Sequence, residues 1–312
     1  MSKVYFILGC TACGKGAVSR NLAKRIGGRI VSADSMKVYR RMDIGTAKPS
    51  ASLRAKVPHH CIDIVEPSES FSVAQYLEHA DAAIAEIHLA GAVPLAVGGS
   101  SLYIKALSEG LFDAPSADPK IRSLLKARAK AEGVEALYKD LLDVDPEAAE
   151  RISRNDERRI IRALEVYQAA GRPISSLQKQ WDTGRRRYDC VFLGLRRDRA
   201  DLHGRINLRA RRMVEAGLKN EVASLLAEPA GLSDQAAVAV GYAEMISHLR
   251  GEATLAQALE RIKINTRRLA RKQRTWHRRF PNVQWFDVAA AETPEKTADR
   301  IFAAMQLAGQ NL

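Results

Sequence analysis

The sequence predicts an α/β protein, a doubly wound parallel sheet interrupted by an all-helical insertion. Three observations predict it. Short apolar runs of strand length recur near the start and again from residue 190. Stretches with apolar residues at helical spacing fill the intervals, the alternation that builds a parallel sheet covered by helices. From Pro115 to Asp189 strand character disappears while helical periodicity continues.

Taken in order, Val4–Leu8 is a buried strand and Gly9–Gly16 a glycine-rich turn. Val18, Leu22, Ala23 and Ile26 line one face of a helix that Gly27-Gly28 ends. Arg29–Ser32 is a short second strand, and Gly91–Gly99 reads as a helix end, a third strand and another glycine turn. Asp118–Ala131, Val134–Leu142 and Asp156–Ala170 are helices, separated by Gly133, Asp145-Pro146 and Gly171-Arg172-Pro173. Gly184–Arg187 reads as a loop. Cys190–Leu195 restores a strand, Asp201–Gly217, Lys219–Ala227 and Thr254–Arg279 are helices, and Val283–Val288 is a late strand. The expected domains are therefore a discontinuous core, 1–114 with 190–312, and a helical insertion, 115–189.

Composition narrows the function classes. The 312 residues carry 49 Lys and Arg against 36 Asp and Glu, a net charge of +13, so a polyanionic partner is expected. A hydrophobic share of 46% excludes a disordered chain. The apolar runs fall far short of the roughly 20 residues a membrane helix needs. Four irregularly spaced cysteines exclude a disulfide framework, and Met1–Leu8 lacks the features of a secretory signal. A cytoplasmic, monomeric chain is expected.

Gly9-Cys10-Thr11-Ala12-Cys13-Gly14-Lys15-Gly16 has the G-x-x-x-x-G-K spacing of a phosphate loop, after a strand and before a helix. Backbone N–H groups and the helix start can hold a diphosphate there, with Lys15 neutralising its oxygens. Gly16 stands where the motif has Ser or Thr to meet Mg²⁺; Thr11 and Ser19 are nearby hydroxyls out of register. The dinucleotide fingerprint G-x-G-x-x-G is absent. Cys10-x-x-Cys13 is either a redox or metal pair or two small residues in a tight turn. Asp34 follows the second strand at the edge where α/β proteins bind ligands, as metal ligand, general base or turn residue.

Further strings complete a pattern: Asp34-Ser35-Met36-Lys37-Val38-Tyr39, Met42–Pro49, Val97-Gly98-Gly99-Ser100, Arg162–Tyr167 and Val240-Gly241-Tyr242. With the phosphate loop they occur in the order found in bacterial tRNA dimethylallyltransferases, which the chain resembles over most of its length. The resemblance implies a P-loop NTPase-like core and transfer of a dimethylallyl group from dimethylallyl diphosphate to N6 of the adenosine 3′ of the anticodon. It implies Mg²⁺ as cofactor, Asp34 as general base, Ser100 as a hydroxyl orienting the amine or holding the diphosphate, and Lys15 and Arg205 on the diphosphate. Without it, Ser100 is a helix N-cap and Arg205 one basic residue among many. ATP would fit such a loop by motif alone; dimethylallyl diphosphate is the expected ligand.

The resemblance also implies contacts to the tRNA anticodon stem-loop at Asp34, Ser35, Met36, Lys37 and Ser100, and at Arg122, Arg158, Arg159 and Arg162 of the insertion. Gly241 and Tyr242 match another contact segment, and Arg271, Lys272, Gln273, Arg274, Trp276 and Arg278 a last one. That last segment lies in the run Arg261–Arg279, which holds nine basic residues and no acid, with Trp276 and His277 interleaved. Such a run suits RNA phosphates and stacking better than an ordinary solvated face. Three positions depart from the family pattern: Gly16, Lys37 for Gln, and Ser100-Ser101 for Thr-Gly. An ammonium at 37 can only donate, which alters how the base is read. Two other readings use the same residues: a P-loop small-molecule kinase, and a tRNA-binding paralogue with weakened catalysis.

Overall fold

The computed structural model describes residues 2–112, 115, 118–178 and 186–309. Two compact units emerge, Met1–Ser108 with Arg187–Leu312, and Glu109–Arg186. The divisions fall at 108 and 186 rather than at 114 and 189. Arg187 and Tyr188 belong to the larger unit because both bond the Asp81 carboxylate, each at 2.6 Å. Half of the expected loop Gly184–Arg187 lies outside the described residues.

In the larger unit, β1 (Lys3–Leu8) runs into the phosphate loop and α1 (Lys15–Ile26). Gly27 ends that helix at φ 62°, a left-handed cap that costs glycine nothing. There follow β2 (Gly28–Ala33), α2 (Ala51–Lys56), the two-residue β3 (His59–His60), α3 (Val73–Leu89), β4 (Val93–Gly98) and α4 (Ser101–Glu109). Ser72 and Gln75 form a reciprocal capping box that starts α3.

The smaller unit is all-helical among its described residues: α5 (Pro119–Glu132), α6 (Val134–Val144), α7 (Pro146–Arg151), α8 (Glu157–Ala170) and α9 (Ile174–Gln178). Asp145-Pro146, expected as a break, is a helix start. Asp145 accepts the Ala148 N–H at 3.0 Å, and Pro146 occupies the first turn, where its missing N–H costs nothing. The buried Asp145 also accepts Ser175 N–H at 2.9 Å, fixing α9. Leu137, Leu141, Ile160 and Val166 are fully buried in this unit's own core. Each such side chain contributes about 1.5–3 kcal/mol.

The larger unit resumes with β5 (Asp189–Arg196), α10 (Arg199–Glu215), α11 (Leu218–Leu226), α12 (Asp234–Ala237), α13 (Tyr242–Leu249), α14 (Leu255–His277), β6 (Gln284–Asp287) and α15 (Pro294–Gly309). Its six strands are all parallel in the order β3-β2-β4-β1-β5-β6. Val4, Phe6, Ile7 and Leu8 are buried on both faces of β1, as a central parallel strand demands. Their carboxyl ends bring the segments after β1, β2, β4 and β5 to one edge. No helix among the described residues is long and apolar enough to cross a membrane.

Candidate active site

The phosphate loop turns where glycine is required. Gly9 has φ +153°, and a Cβ there would lie 2.6 Å from Cys13 Sγ; Gly14 takes φ +100° at the head of α1. The amides of Lys15 and Gly16, in the first turn, have no acceptor within the helix; Lys15 N–H is donated to the Cys13 sulfur, and such a helix start favours an anion. Lys15 Nζ folds back to the Cys10 carbonyl at 3.1 Å, which holds the ammonium over the loop.

Residues far along the chain then grip the loop. Arg205 Nε donates to Ala12 O at 2.9 Å, Arg197 Nε to Cys13 O at 2.9 Å, and Arg209 Nη1 to Thr11 Oγ1 at 3.3 Å. Gln273 accepts the Thr11 N–H at 2.7 Å and donates to Gly99 O at 3.0 Å. Arg205 and Lys15, which the resemblance implied at this loop, both bond its backbone. Arg197 and Arg209 are additions, and one was legible: Arg209 lies one turn beyond Arg205 on α10, hence on the same face.

Asp34 leaves the end of β2, and Ser100 follows the end of the neighbouring β4. Gly98 makes this approach possible, since a Cβ there would lie 1.9 Å from Ala33 O. Ser100 Oγ accepts the Ser35 N–H at 2.9 Å and lies 3.2 Å from Ser35 Oγ, so its hydroxyl is directed at the Asp34 segment. Asp34 accepts the Met36 N–H at 3.1 Å, a turn contact that leaves carboxylate oxygen capacity for a substrate.

The electrostatics of this edge are positive. Burial pushes the Lys37 ammonium down to about 8; Asp34 opposes that shift while Lys15, Arg209 and Arg20 add to it. Burial likewise lowers Arg209 and Arg20. Cys10 and Cys13 are buried free thiols. Their mutual hydrogen bond lowers Cys13, where burial opposes it, and raises Cys10, where burial adds to it. No cluster of three or more His, Cys, Asp or Glu residues able to hold a metal occurs among the described residues. Both thiols are packed inside the turn, within hydrogen-bonding reach of each other.

A second cluster shapes the loop after Asp34. Glu221 of α11 accepts the amides of Asp43, Ile44 and Gly45 at 2.9, 2.7 and 3.1 Å and the Tyr242 hydroxyl at 2.5 Å. A Cβ at Gly45 would meet the Tyr242 ring at 2.3 Å, so two of the sequence strings pack directly on each other. Lys48, its side chain 1% exposed, ties Tyr39 O to Asp43 and Asp63. Tyr242 is fully buried and Gly241 is buried too. Tyr242 packs on Gly45 and bonds Glu221, so in this structure it holds the loop after Asp34 in place. Glu221 carried no signal in the sequence, because its partners are defined only by the fold.

The basic helix α14 buries a thin stripe, including Ala258, Ile262, Ala270 and His277. Arg271, Lys272, Arg274 and Arg278 are exposed, and Arg279 stacks over the Trp276 ring at 4.9 Å. Gln273 faces the phosphate loop, and His277, 1% exposed, faces the interior. Within the smaller unit, Arg158 is exposed and Arg159 pairs with Asp156 at 3.4 Å. Arg122 and Arg162 both bond the buried Glu165, each at 2.8 Å, which leaves them half-buried and structurally engaged.

Two family models match the chain, "IPP transferase" over residues 37–280 and "Isopentenyl transferase" over residues 2–57. A tRNA dimethylallyltransferase 2 of Geotalea daltonii is 46% identical over 93% of this chain and 89% of its own. A tRNA dimethylallyltransferase of Carboxydothermus hydrogenoformans is 44% identical over 96% of each. The structure of the tRNA isopentenylpyrophosphate transferase of Bacillus halodurans is similar with a TM-score of 0.72, 42% identity, and 100% and 98% coverage. A eukaryotic dimethylallyltransferase acting on tRNA matches with a TM-score of 0.84 and 26% identity over 98% of this chain and 79% of its own. With its parallel-sheet core, its phosphate loop and Asp34 at one edge, and these relatives, the chain belongs to the tRNA dimethylallyltransferase family.

Proposed function

We propose that the protein transfers the dimethylallyl group of dimethylallyl diphosphate to the exocyclic N6 of adenosine 37, next to the anticodon, in tRNAs that read codons beginning with U. The convergence of Lys15 and Arg205 on the phosphate loop with Asp34 and Ser100 at the same sheet edge supports this reading most directly. The loop amides, Lys15 and Arg205 hold the diphosphate. As the donor C1–O bond breaks, its electron pair moves to the departing oxygen, where these fixed donors stabilise the growing charge. The new N6–C1 bond forms, and Asp34 takes the N6 proton and passes it to water. Ser100 orients the Asp34 segment. The adenine leaves its stack to reach this edge, and the exposed basic residues of α14 bind RNA phosphates. Every reacting group comes from one chain, so a monomer suffices, and a tRNA substrate implies the cytoplasm.

Enzymes of this family typically need a divalent metal, and Mg²⁺ is the cation expected for a diphosphate donor. The residues of this loop do not fit one: Gly16 offers no hydroxyl, Thr11 Oγ1 is bonded by Arg209, Ser19 Oγ is buried without a partner, and Asp34, the carboxylate at this edge, has the Lys37 ammonium as its electrostatic partner.

Incubation with unmodified tRNA and labelled dimethylallyl diphosphate tests the reading. Label is expected in tRNA, at N6 of adenosine 37 by nucleoside mass spectrometry. Tight tRNA binding with no label at high enzyme concentration would instead establish the tRNA-binding paralogue.

A further inference from the structure

Next to the missing hydroxyl, this chain places a cation. A Cβ at Gly16 would lie 3.5 Å from Arg20 Nη1, so the guanidinium occupies the space beside the first turn of α1. The i,i+4 spacing accounts for it, because helical side chains lean toward the preceding turn. Arg20 is one of four cations gathered there. Lys15 is held over the loop by Cys10 O, Arg209 by Thr11 Oγ1, and Lys37 follows Asp34. Lys37 is depressed by burial and further by Lys15, Arg209 and Arg20, and Asp34 is the carboxylate that counters them. Arg205 on Ala12 O and Arg197 on Cys13 O, the latter paired with Asp201, add to these four, and against Asp34 they make a standing excess of positive charge at the edge where the diphosphate would sit. A cluster of this kind is costly without an anion and is repaid when one binds.

We infer that fixed side-chain cations, with Arg20 beside Gly16, neutralise the diphosphate in this chain in place of a divalent metal bound at the loop. Diphosphate is then held tightly with no metal present. The donor oxygens meet guanidinium and ammonium groups already positioned by backbone and side-chain bonds, so little reorganisation accompanies binding. Gly16 and Arg20 form one device: the first removes the metal's usual anchor and the second fills its electrostatic role. This inference rests on the reading of the loop as a diphosphate site.

Titration calorimetry of the full chain with inorganic diphosphate, without tRNA, in a chelator and again in Mg²⁺, tests it. Wild-type affinity in chelator is expected within about threefold of that in Mg²⁺, and Arg20→Ala is expected to weaken the metal-free value by roughly tenfold or more, the size of a lost charged hydrogen bond. Arg20→Lys restores most of the loss. Circular dichroism establishes that the variants are folded. Gly16→Thr supplies an independent arm, since its Cβ meets Arg20 only at ordinary contact distance. It is expected to make binding respond to Mg²⁺. A wild type that loses more than about tenfold on chelation, or an Arg20→Ala variant that binds as wild type in chelator, overturns the inference. Metal-free diphosphate binding with no transfer to tRNA would sink the proposed function and leave this inference standing. Transfer by an enzyme whose diphosphate binding collapses in chelator would do the reverse.

Discussion

Gln273 accepts the Thr11 N–H at 2.7 Å across 262 residues of sequence, joining the basic helix α14 to the phosphate loop. Through its amide nitrogen it also bonds Gly99 O, so one side chain spans the segments after β1 and β4. The helix proposed to meet RNA and the loop proposed to hold diphosphate are thus one mechanical unit. Gln273→Ala strands a half-buried N–H and is expected to cost about 1–3 kcal/mol in urea unfolding, with weaker diphosphate binding. Gln273→Glu keeps the acceptor and loses the donor, and is expected to fall between wild type and Ala.

Glu221 is the corresponding tie on the other side. It serves three backbone amides and Tyr242. Glu221→Ala is expected to lose roughly 3 kcal/mol of stability, whereas Tyr242→Phe, which removes one of the four bonds, loses about 1 kcal/mol. Equal losses in urea titrations would show that the carboxylate does not organise the loop.

Lys37 predicts a pH effect on anion binding. Its ammonium titrates near 8, so it carries full charge below that pH and loses it above. Diphosphate affinity is expected to fall as pH rises through about 8. Diphosphate itself titrates, so the decisive comparison is with Lys37→Met, whose affinity is lower at pH 7 and whose decline through pH 8 is shallower. Parallel profiles would remove Lys37 from the site.

His277 predicts acid sensitivity of the fold. Burial, followed by Lys15, pushes the imidazole down to about 4, so it is neutral in the native protein. The unfolded chain takes up this proton below about 6.5 and the folded chain does not until about 4. Stability attributable to His277 is therefore present above pH 6.5 and lost as pH falls toward 4, by up to about 3 kcal/mol. His277→Leu is expected to flatten that part of the stability profile measured by urea titration.

What the sequence made legible was local. Val4–Leu8, Gly9–Lys15 and the Gly27 cap are read from neighbours within one turn, and each stands within a residue or two of expectation. Asp145-Pro146 misled because the same dipeptide that breaks one helix caps the next. The burial of Tyr242 was not legible, because a motif string marks that a residue matters without saying whether it faces substrate or core. Gln273, Glu221, Arg197 and Arg20 act across tertiary contacts or within one helix turn, and of these only Arg20, four residues after Gly16, carried a spacing that could have been read.

Whether Asp34 is the base for prenyl transfer is decided by single-turnover transfer of labelled dimethylallyl to tRNA by Asp34→Asn, with tRNA binding measured alongside. The variant keeps the turn acceptor for Met36 N–H but cannot take the N6 proton. The account predicts a transfer rate lowered by roughly a hundredfold or more with tRNA affinity within about threefold of wild type. An unchanged transfer rate would contradict it.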